Sequence, residues 1–297
     1  MALNFSACDL GAPHASRQVV KLVDLEVNVF GLDEIKGSKL PIVAIVVHHP
    51  FAGKARDVAP FASGLLAGIS SLAATSRRQR THDAIIVTLD ARNHGDRRTN
   101  KEALRFGIDR KRDLTEMATL VSGGMHDFDL IRSFLPAFLF PGSERDVTDW
   151  AVCGISMGGH VTWRLLRHDK VQIAVNIVTV PSEGLGGWLM SRHGKKDAPE
   201  GDVIATLPAP VCEFYKSTAP VGTYSDKKIL SLHAEKDAML PASAGAAYFP
   251  GIQAQAARGD IEQWIQPRAK HKCTPQMTRR AAEWYWRWCL SSDVAKL

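Results

Sequence analysis

Much of what would place this 297-residue sequence in a function class at a glance is missing from it. Its five cysteines, Cys8, Cys153, Cys212, Cys273 and Cys289, are scattered, and no two are spaced as Cys-x-x-Cys. An odd, dispersed set excludes a complete disulfide framework and a zinc-cysteine site, and it predicts reduced thiols in an intracellular compartment. There is no His-Glu-x-x-His and no glycine-rich phosphate loop, so no metal and no cofactor is expected. His48 and His49 are adjacent on an extended segment, where successive side chains point to opposite faces. They are read as structural rather than as metal ligands. No apolar stretch is read as long enough to span a bilayer. The first nine residues lack the basic start and apolar run of a secretory signal. Internal repeats and low-complexity linkers are absent too.

The charge balance excludes less. The formal net charge is +6. The basic residues fall in short, separate clusters, Arg77-Arg78-Gln79-Arg80, Arg110-Lys111-Arg112 and Lys195-Lys196. Without a recognisable nucleic-acid motif these read as solvated surface, and no nucleic-acid partner is expected. A mild attraction for anionic substrates is compatible with them.

What is present is an alternation of strand-like and helix-like segments, with 45% apolar residues. That pattern predicts a mainly parallel sheet covered by helices on both faces. Strands are expected over 19–30 (one or two), 41–47, 84–89, 150–155, 171–180, 229–233 and 260–265. Helices are expected over 58–74, 125–135 (stopped by Pro136) and 278–290, with a polar, basic loop over 97–115. Trp284 and Trp288 share a helix face four residues apart, which reads as core packing.

The sharpest local signal is Gly154-Ile155-Ser156-Met157-Gly158. It follows a buried-strand pattern and precedes a helical one. A serine on such a sharp turn projects its hydroxyl above the sheet edge, and small residues on either side let the backbone pass tightly. The amide of Met157 would then sit at a helix N-terminus, where partial positive charge meets a developing oxyanion. A nucleophilic serine needs a base, and the base an orienting acid. Asp237 lies in the loop after the strand ending at His233, and His271 in the loop after the strand ending near Ile265. A helix cap is the competing reading for Asp237. Glu235 and Asp226 are weaker acids for the role, and His233 and His193 poorer bases. Cys153 is expected to pack beneath the serine turn, and Cys273 to pack near His271.

The Gly-x-Ser-x-Gly turn, the order Ser156, Asp237, His271, and three more segments resemble the α/β-hydrolase superfamily, in its esterase and dienelactone-hydrolase-like branches. The segments are Val46-Val47-His48-His49-Pro50-Phe51-Ala52-Gly53, Leu89-Asp90-Ala91-Arg92-Asn93-His94-Gly95-Asp96 and Leu232-His233-Ala234-Glu235-Lys236-Asp237. The resemblance runs from about Val19 to Leu290. It implies a catalytic triad of Ser156, Asp237 and His271, and an oxyanion hole made by Met157 with Phe51, or with Ala52 as the second choice. Pro50 replaces the usual glycine and has no N–H to give. Ala269-Lys270 stands where a glycine often precedes the histidine. His94-Gly95 and Asp90 are expected to organise the loop beside the site. A small cap is implied over 182–226, inserted in a core formed by 1–181 and 227–297. Trp188, Leu189 and Met190, with Leu185, Phe214 and Tyr215, are its candidate pocket residues, with ordinary packing of the cap onto the core as the alternative for each. The activity implied is a serine hydrolase that cleaves a small-molecule carboxylic ester or thioester through an acyl-enzyme, with no cofactor. A peptidase or amidase, or a non-hydrolytic binding protein on the same scaffold, is the alternative. The final residues Ala295-Lys296-Leu297 resemble a peroxisomal address of the Ser-Lys-Leu type, which implies the peroxisomal import receptor as a partner. A cytoplasmic location is the alternative.

Overall fold

A computed structural model describes residues 3–107, 109–167, 171–192 and 200–293. His193 and the Ala295-Lys296-Leu297 tail lie outside the described residues. The strands are β1 (Arg17–Leu22), β2 (Leu25–Phe30), β3 (Ile42–His48), β4 (Gln79–Arg80), β5 (Asp83–Leu89), β6 (Val147–Ile155), β7 (Ile173–Ile177), β8 (Lys228–Ala234), β9 (Ile261–Gln266) and β10 (Ser291–Ser292). The helices are α1 (Ala59–Thr75), α2 (Arg110–Leu139), α3 (Met157–Leu165), α4 (Leu185–Arg192), α5 (Glu200–Ala205), α6 (Ala209–Lys216), α7 (Phe249–Gln253) and α8 (Pro275–Tyr285).

Among the described residues, eight strands form one sheet in the order β1-β2-β5-β3-β6-β7-β8-β9, and β4 pairs with β10 apart from it. The β1–β2 and β2–β5 pairs are antiparallel, and every later pair in the sheet is parallel. The central strands explain the two-sided covering. Every residue of β3 and of β5 is buried. Along β3, Ile42, Ala44 and Val46 face one apolar cluster while Val43, Ile45 and Val47 face the other. A strand apolar at both parities has no solvent face, so each side must be roofed. Leu114, Val121, Phe128 and Ile131 of α2 and Val161 of α3 roof the first side. Phe61 and Leu65 of α1 and Met277, Ala281 and Tyr285 of α8 roof the second.

Three expectations need correction. The stretch 97–115 is not all loop, because α2 begins at Arg110, capped by Asp109, whose side chain accepts from Arg112 N. The charged run Arg110-Lys111-Arg112-Asp113 masks the apolar spacing of Leu114, Met117, Val121, Phe128, Ile131 and Leu135, all buried on one side. Nor does Pro136 stop this helix, which runs on to Leu139. Proline withholds one N–H, and near the helix end that loss is outweighed by burial of Ile131 and Leu135. Lastly, residues Ala55–Thr75 are long and apolar enough to cross a membrane by length and composition. In the fold their apolar face lies on the sheet instead, with Phe61, Ala62, Leu65 and Ile69 buried. The terminal aromatic pair behaves as read: Trp284 and Trp288 meet edge-on at 5.8 Å.

Candidate active site

Ser156 stands between the last residue of β6 and the first of α3, with φ 54° and ψ −115°. The turn is held by its own N–H, which donates to Ile177 O at the end of β7 (2.9 Å). The neighbouring glycines are steric requirements. A Cβ on Gly154 would lie 2.3 Å from Gly158 O and from Thr162 Oγ1, and one on Gly158 would lie 2.2 Å from His48 O. Both contacts are far inside van der Waals range, so the strand can turn into the helix, and the helix can abut the end of β3, only without side chains there.

Asp237 follows β8 and is buried. Its two oxygens satisfy both readings made of it. Oδ1 accepts from Met239 N (2.9 Å) and Leu240 N (2.8 Å), which caps the turn. Oδ2 lies 2.7 Å from His271 Nδ1. His271 Nε2 is in turn 3.1 Å from Ser156 Oγ. A carboxylate only accepts, so Nδ1 carries the proton and Nε2 offers its lone pair to the serine hydroxyl. The three side chains come from three strand ends and meet at one point above the sheet. The β9–α8 loop needs no glycine before His271, because its left-handed residue is Arg268 (φ 59°). Lys236 N donates to Ala269 O (2.7 Å) and Arg268 N to Glu235 Oε2 (2.6 Å), tying that loop to the acid turn.

The weaker candidates stand elsewhere. The Glu235 carboxylate is taken by Arg268 N, Asp226 is exposed, and His233 is buried in β8 with Nε2 on Ser231 Oγ (2.9 Å). Cys153 and Cys273 are buried, and burial raises both thiols, Cys153 to about 12. Asp90 lies in the loop after β5. Its Oδ1 accepts from Ala55 N (2.7 Å), and its Oδ2 from Asp96 N (2.8 Å). His49 Nε2 accepts from Ala91 N (2.9 Å), and the His94 ring meets those of His49 and Phe51 at 5.3 Å each. The loop after β3 and the loop after β5 are thereby locked together beside Ser156. Among the described residues no cluster of His, Cys, Asp and Glu is arranged to hold a metal.

A cavity of about 330 Å³ opens beside Ser156 and Met157. Phe51, Leu104, Phe106, Met117, Trp188, Leu189 and Met239 supply its apolar wall, and His160 and Asp113 its polar one. Trp188 and Leu189 are therefore where the sequence reading put them, while Met190 is buried in the core and absent from the wall. Two residues on from Trp188, a helical side chain points about 200° away. Leu185, Phe214 and Tyr215 are packing residues too; Tyr215 donates to Leu114 O (2.6 Å). Leu104, Phe106 and Asp113 lie in the stretch that reads as a basic loop and Met117 in the unassigned stretch just after it, although two apolar residues inside a charged loop are a usable signal. Arg164 of α3 and Arg167 just beyond its end fasten this part of the chain to the segment after β7. Arg164 donates to Ser217 Oγ (2.7 Å) and stacks over Phe214, and Arg167 donates to Ser217 O (2.9 Å) and pairs with Glu183. Trp188 Nε1 closes the other side on Met239 O (2.6 Å).

Burial holds several imidazoles neutral. His48, His49 and His233 are lowered to about 4 and His160 to about 3, in each case chiefly by burial. The unfolded chain takes up these protons near pH 6.5 and the folded one does not. Their contribution is complete above about pH 6.5 and is lost as pH falls towards 4, by at most about 1.4 kcal/mol per pH unit for each. The urea midpoint is expected to fall steadily between pH 7 and pH 5, and a flat midpoint there would contradict the neutral assignment.

No protein-family model matches the chain, and no curated protein sequence does. Solved structures do. TT1662 from Thermus thermophilus superimposes with a TM-score of 0.63 at 14% identity, over 93% of this chain and 98% of that one. The acylaminoacyl peptidase of Pyrococcus horikoshii gives 0.54 at 16% identity, over 92% of this chain and 40% of that one. A Klebsiella pneumoniae protein assigned as a dienelactone hydrolase gives 0.51 at 14% identity, over 92% and 97%. Identities this low speak for the fold alone. A mainly parallel sheet roofed on both faces, a serine on the turn from β6 to α3, and these likenesses lead to one statement: the chain has the α/β-hydrolase fold.

Proposed function

We propose that this protein is a serine hydrolase that cleaves a carboxylic ester or thioester through an acyl-enzyme. The observation that carries the reading is the continuous relay Ser156 Oγ, His271 Nε2, His271 Nδ1, Asp237 Oδ2, with links of 3.1 and 2.7 Å. Ser156 Oγ attacks the carbonyl carbon as His271 Nε2 takes its proton. Asp237 keeps the imidazole in the useful tautomer and stabilises its cation. The N–H groups of Met157 and Phe51 receive the oxyanion. Collapse breaks the bond to the leaving oxygen or sulfur, which takes the proton from His271. Water then repeats the sequence on the acyl-serine and releases the acid. Residues 182–226 act as a small cap whose Trp188 and Leu189 face the substrate. The acylaminoacyl peptidase among the fold neighbours favours an amide as the second reading.

Labelling with a fluorophosphonate probe and mapping the adduct by mass tests the reading. Rapid modification of Ser156 that is lost in His271→Ala is expected, and a panel of esters, thioesters and anilides then separates ester from amide cleavage. Well-folded protein that takes no label at Ser156 would sink the proposal in favour of a binding role.

A further inference from the structure

The formal charge is unevenly placed along the sequence. The connection from β5 into the first turn of α2, residues 90–112, holds eight Arg and Lys against four Asp and Glu, a net of +4. The loop after β9, residues 267–274, holds Arg268, Lys270 and Lys272 and no acid, a net of +3. The whole chain carries +6, so everything outside these two segments sums to −1. The fold brings both segments to one end of the sheet. β5 and β9 run parallel to β6 through the strands between them, so all three end at the same edge. In the strand order β5 lies to one side of β6 and β9 to the other. The serine turn that follows β6 is therefore bracketed by two basic loops.

The β5 connection also builds the cavity beside Ser156. Leu104 and Phe106 stand in its wall, with the exposed Arg105 between them in sequence, and wall residue Asp113 directly follows Arg112. The Arg112 guanidinium donates to Glu102 O and so ties the start of α2 to that loop. Part of the charge is answered locally: Arg92 and Arg97 pair with Asp127, Arg105 with Glu102 and Arg112 with Glu116. Arg98, Lys101, Lys270 and Lys272 are exposed and have no ion pair among the described residues. The interior of the cavity is different in kind. Apart from His160, its one acidic or basic side chain is Asp113, a carboxyl group that gives an anion nothing to gain by entering. Residues 182–226, which supply Trp188 and Leu189 to the wall, sum to −2, so the attraction is directed to the rest of the rim. A cleft with low-dielectric walls focuses the field of the charges around its mouth, and exposed charges act over about 10 Å at 0.1 M salt.

We propose that the substrate is an ester or thioester with an anionic group on the portion that stays outside the cavity, and that residues 90–112 and 267–274 draw that group to the site. The proposal deepens the hydrolase reading and rests on it for the bond that is cleaved. A neutral, apolar portion fills the cavity of about 330 Å³, and the charged portion remains at the rim, in water. Attraction of this kind acts on capture, so it is read in kcat/KM and in its dependence on salt.

The test uses the full chain and ester pairs that differ in charge at one end only. One pair is the butyrate ester of 3-hydroxybenzoic acid against that of 3-hydroxybenzamide, with the charge on the alcohol side. The other is the phenyl monoester of adipic acid against its methyl phenyl diester, with the charge on the acyl side. At an ionic strength of about 0.01 M the anionic member of at least one pair is expected to lead about tenfold in kcat/KM. The pair that responds tells which portion stays outside. The lead should fall towards one at about 1 M, where the Debye length has shrunk from about 30 Å to about 3 Å. Arg98→Gln combined with Lys101→Gln should cut the low-salt lead to about threefold. Lys39→Gln combined with Arg77→Gln removes the same charge from exposed positions just ahead of β3 and β5, at the opposite end of the sheet, and should leave the lead intact. No lead in either pair, a lead indifferent to salt or to Arg98→Gln with Lys101→Gln, or one lowered equally by both double variants overturns the proposal. If no ester is turned over and Ser156 takes no fluorophosphonate, the hydrolase reading fails by itself, and equilibrium dialysis of the same esters decides the rest. Tighter, salt-sensitive binding of an anionic member would leave the anion preference standing, and equal binding would overturn it.

Discussion

Ser156→Ala is expected to lower kcat on the best ester by about 10⁴-fold or more, with no loss of fold. Groups that act as a unit in catalysis lose nearly the whole effect when the nucleophile goes, and what survives comes from oxyanion donors and binding. Alanine keeps the backbone problem unchanged, since it too must sit at the φ of 54° that Ser156 adopts. Glycine does not. Ser156→Gly should be equally inactive and about 1 kcal/mol more stable, because the turn then holds a residue without the left-handed penalty. Denaturation midpoints of the three proteins in one buffer measure both effects. A Ser156→Gly protein no more stable than Ser156→Ala would show that the turn is unstrained, and ester turnover surviving in either would remove Ser156 from the chemistry.

Gly158→Ala should do the opposite, damaging the fold first and activity as a consequence. The added methyl would lie 2.2 Å from the backbone oxygen of His48 and 2.8 Å from its Cβ. His48 is fixed at the end of a fully buried strand, so the helix must retreat. Overpacking of this kind costs about 3 kcal/mol, or about 5 °C in Tm for a chain of this length. A retreat of α3 also moves the Met157 amide and the serine hydroxyl, and a misplacement of about 1 Å is worth about 10²-fold in rate. Thermal melts and ester kinetics on the same preparation check it. A variant that melts with the parent protein would mean that α3 and β3 do not press on each other as described.

The chain announced its scaffold through residues whose environment leaves few options. Runs such as Ile42–His48 and Asp83–Leu89 are apolar at both parities, so they read as buried strands from composition alone, and they are. The serine turn was legible because sterics dictate glycine at 154 and 158. Asp237 and His271 were legible as loop residues after strands, and they meet as that order requires. Helix α2 was only half visible. Its N-terminal turn is all charge, and its burial depends on lying across the sheet, which no local propensity records. The far wall of the cavity escaped for the same reason. Leu104 and Phe106 reach it through tertiary placement of a loop whose neighbours are arginines and lysines. Met190 erred the other way, because an apolar trio on a helix cannot all face one cavity.

The strand order of the sheet carries a further consequence, for the chain as it is being made. After β3 the strands lie outward in the sequence in which they are synthesised, β6, β7, β8 and finally β9 at the edge. Ser156 is laid down directly after β6, the first of that series, whereas His271 arrives only beyond the edge strand, 115 residues later. A nascent chain that has completed everything up to the loop after β8 thus contains the serine turn and Asp237 but not yet His271. Competence for the proposed chemistry is conferred by the last strand to dock, so an interrupted translation product is inert, and an active molecule is by that fact one whose sheet has been closed to its edge.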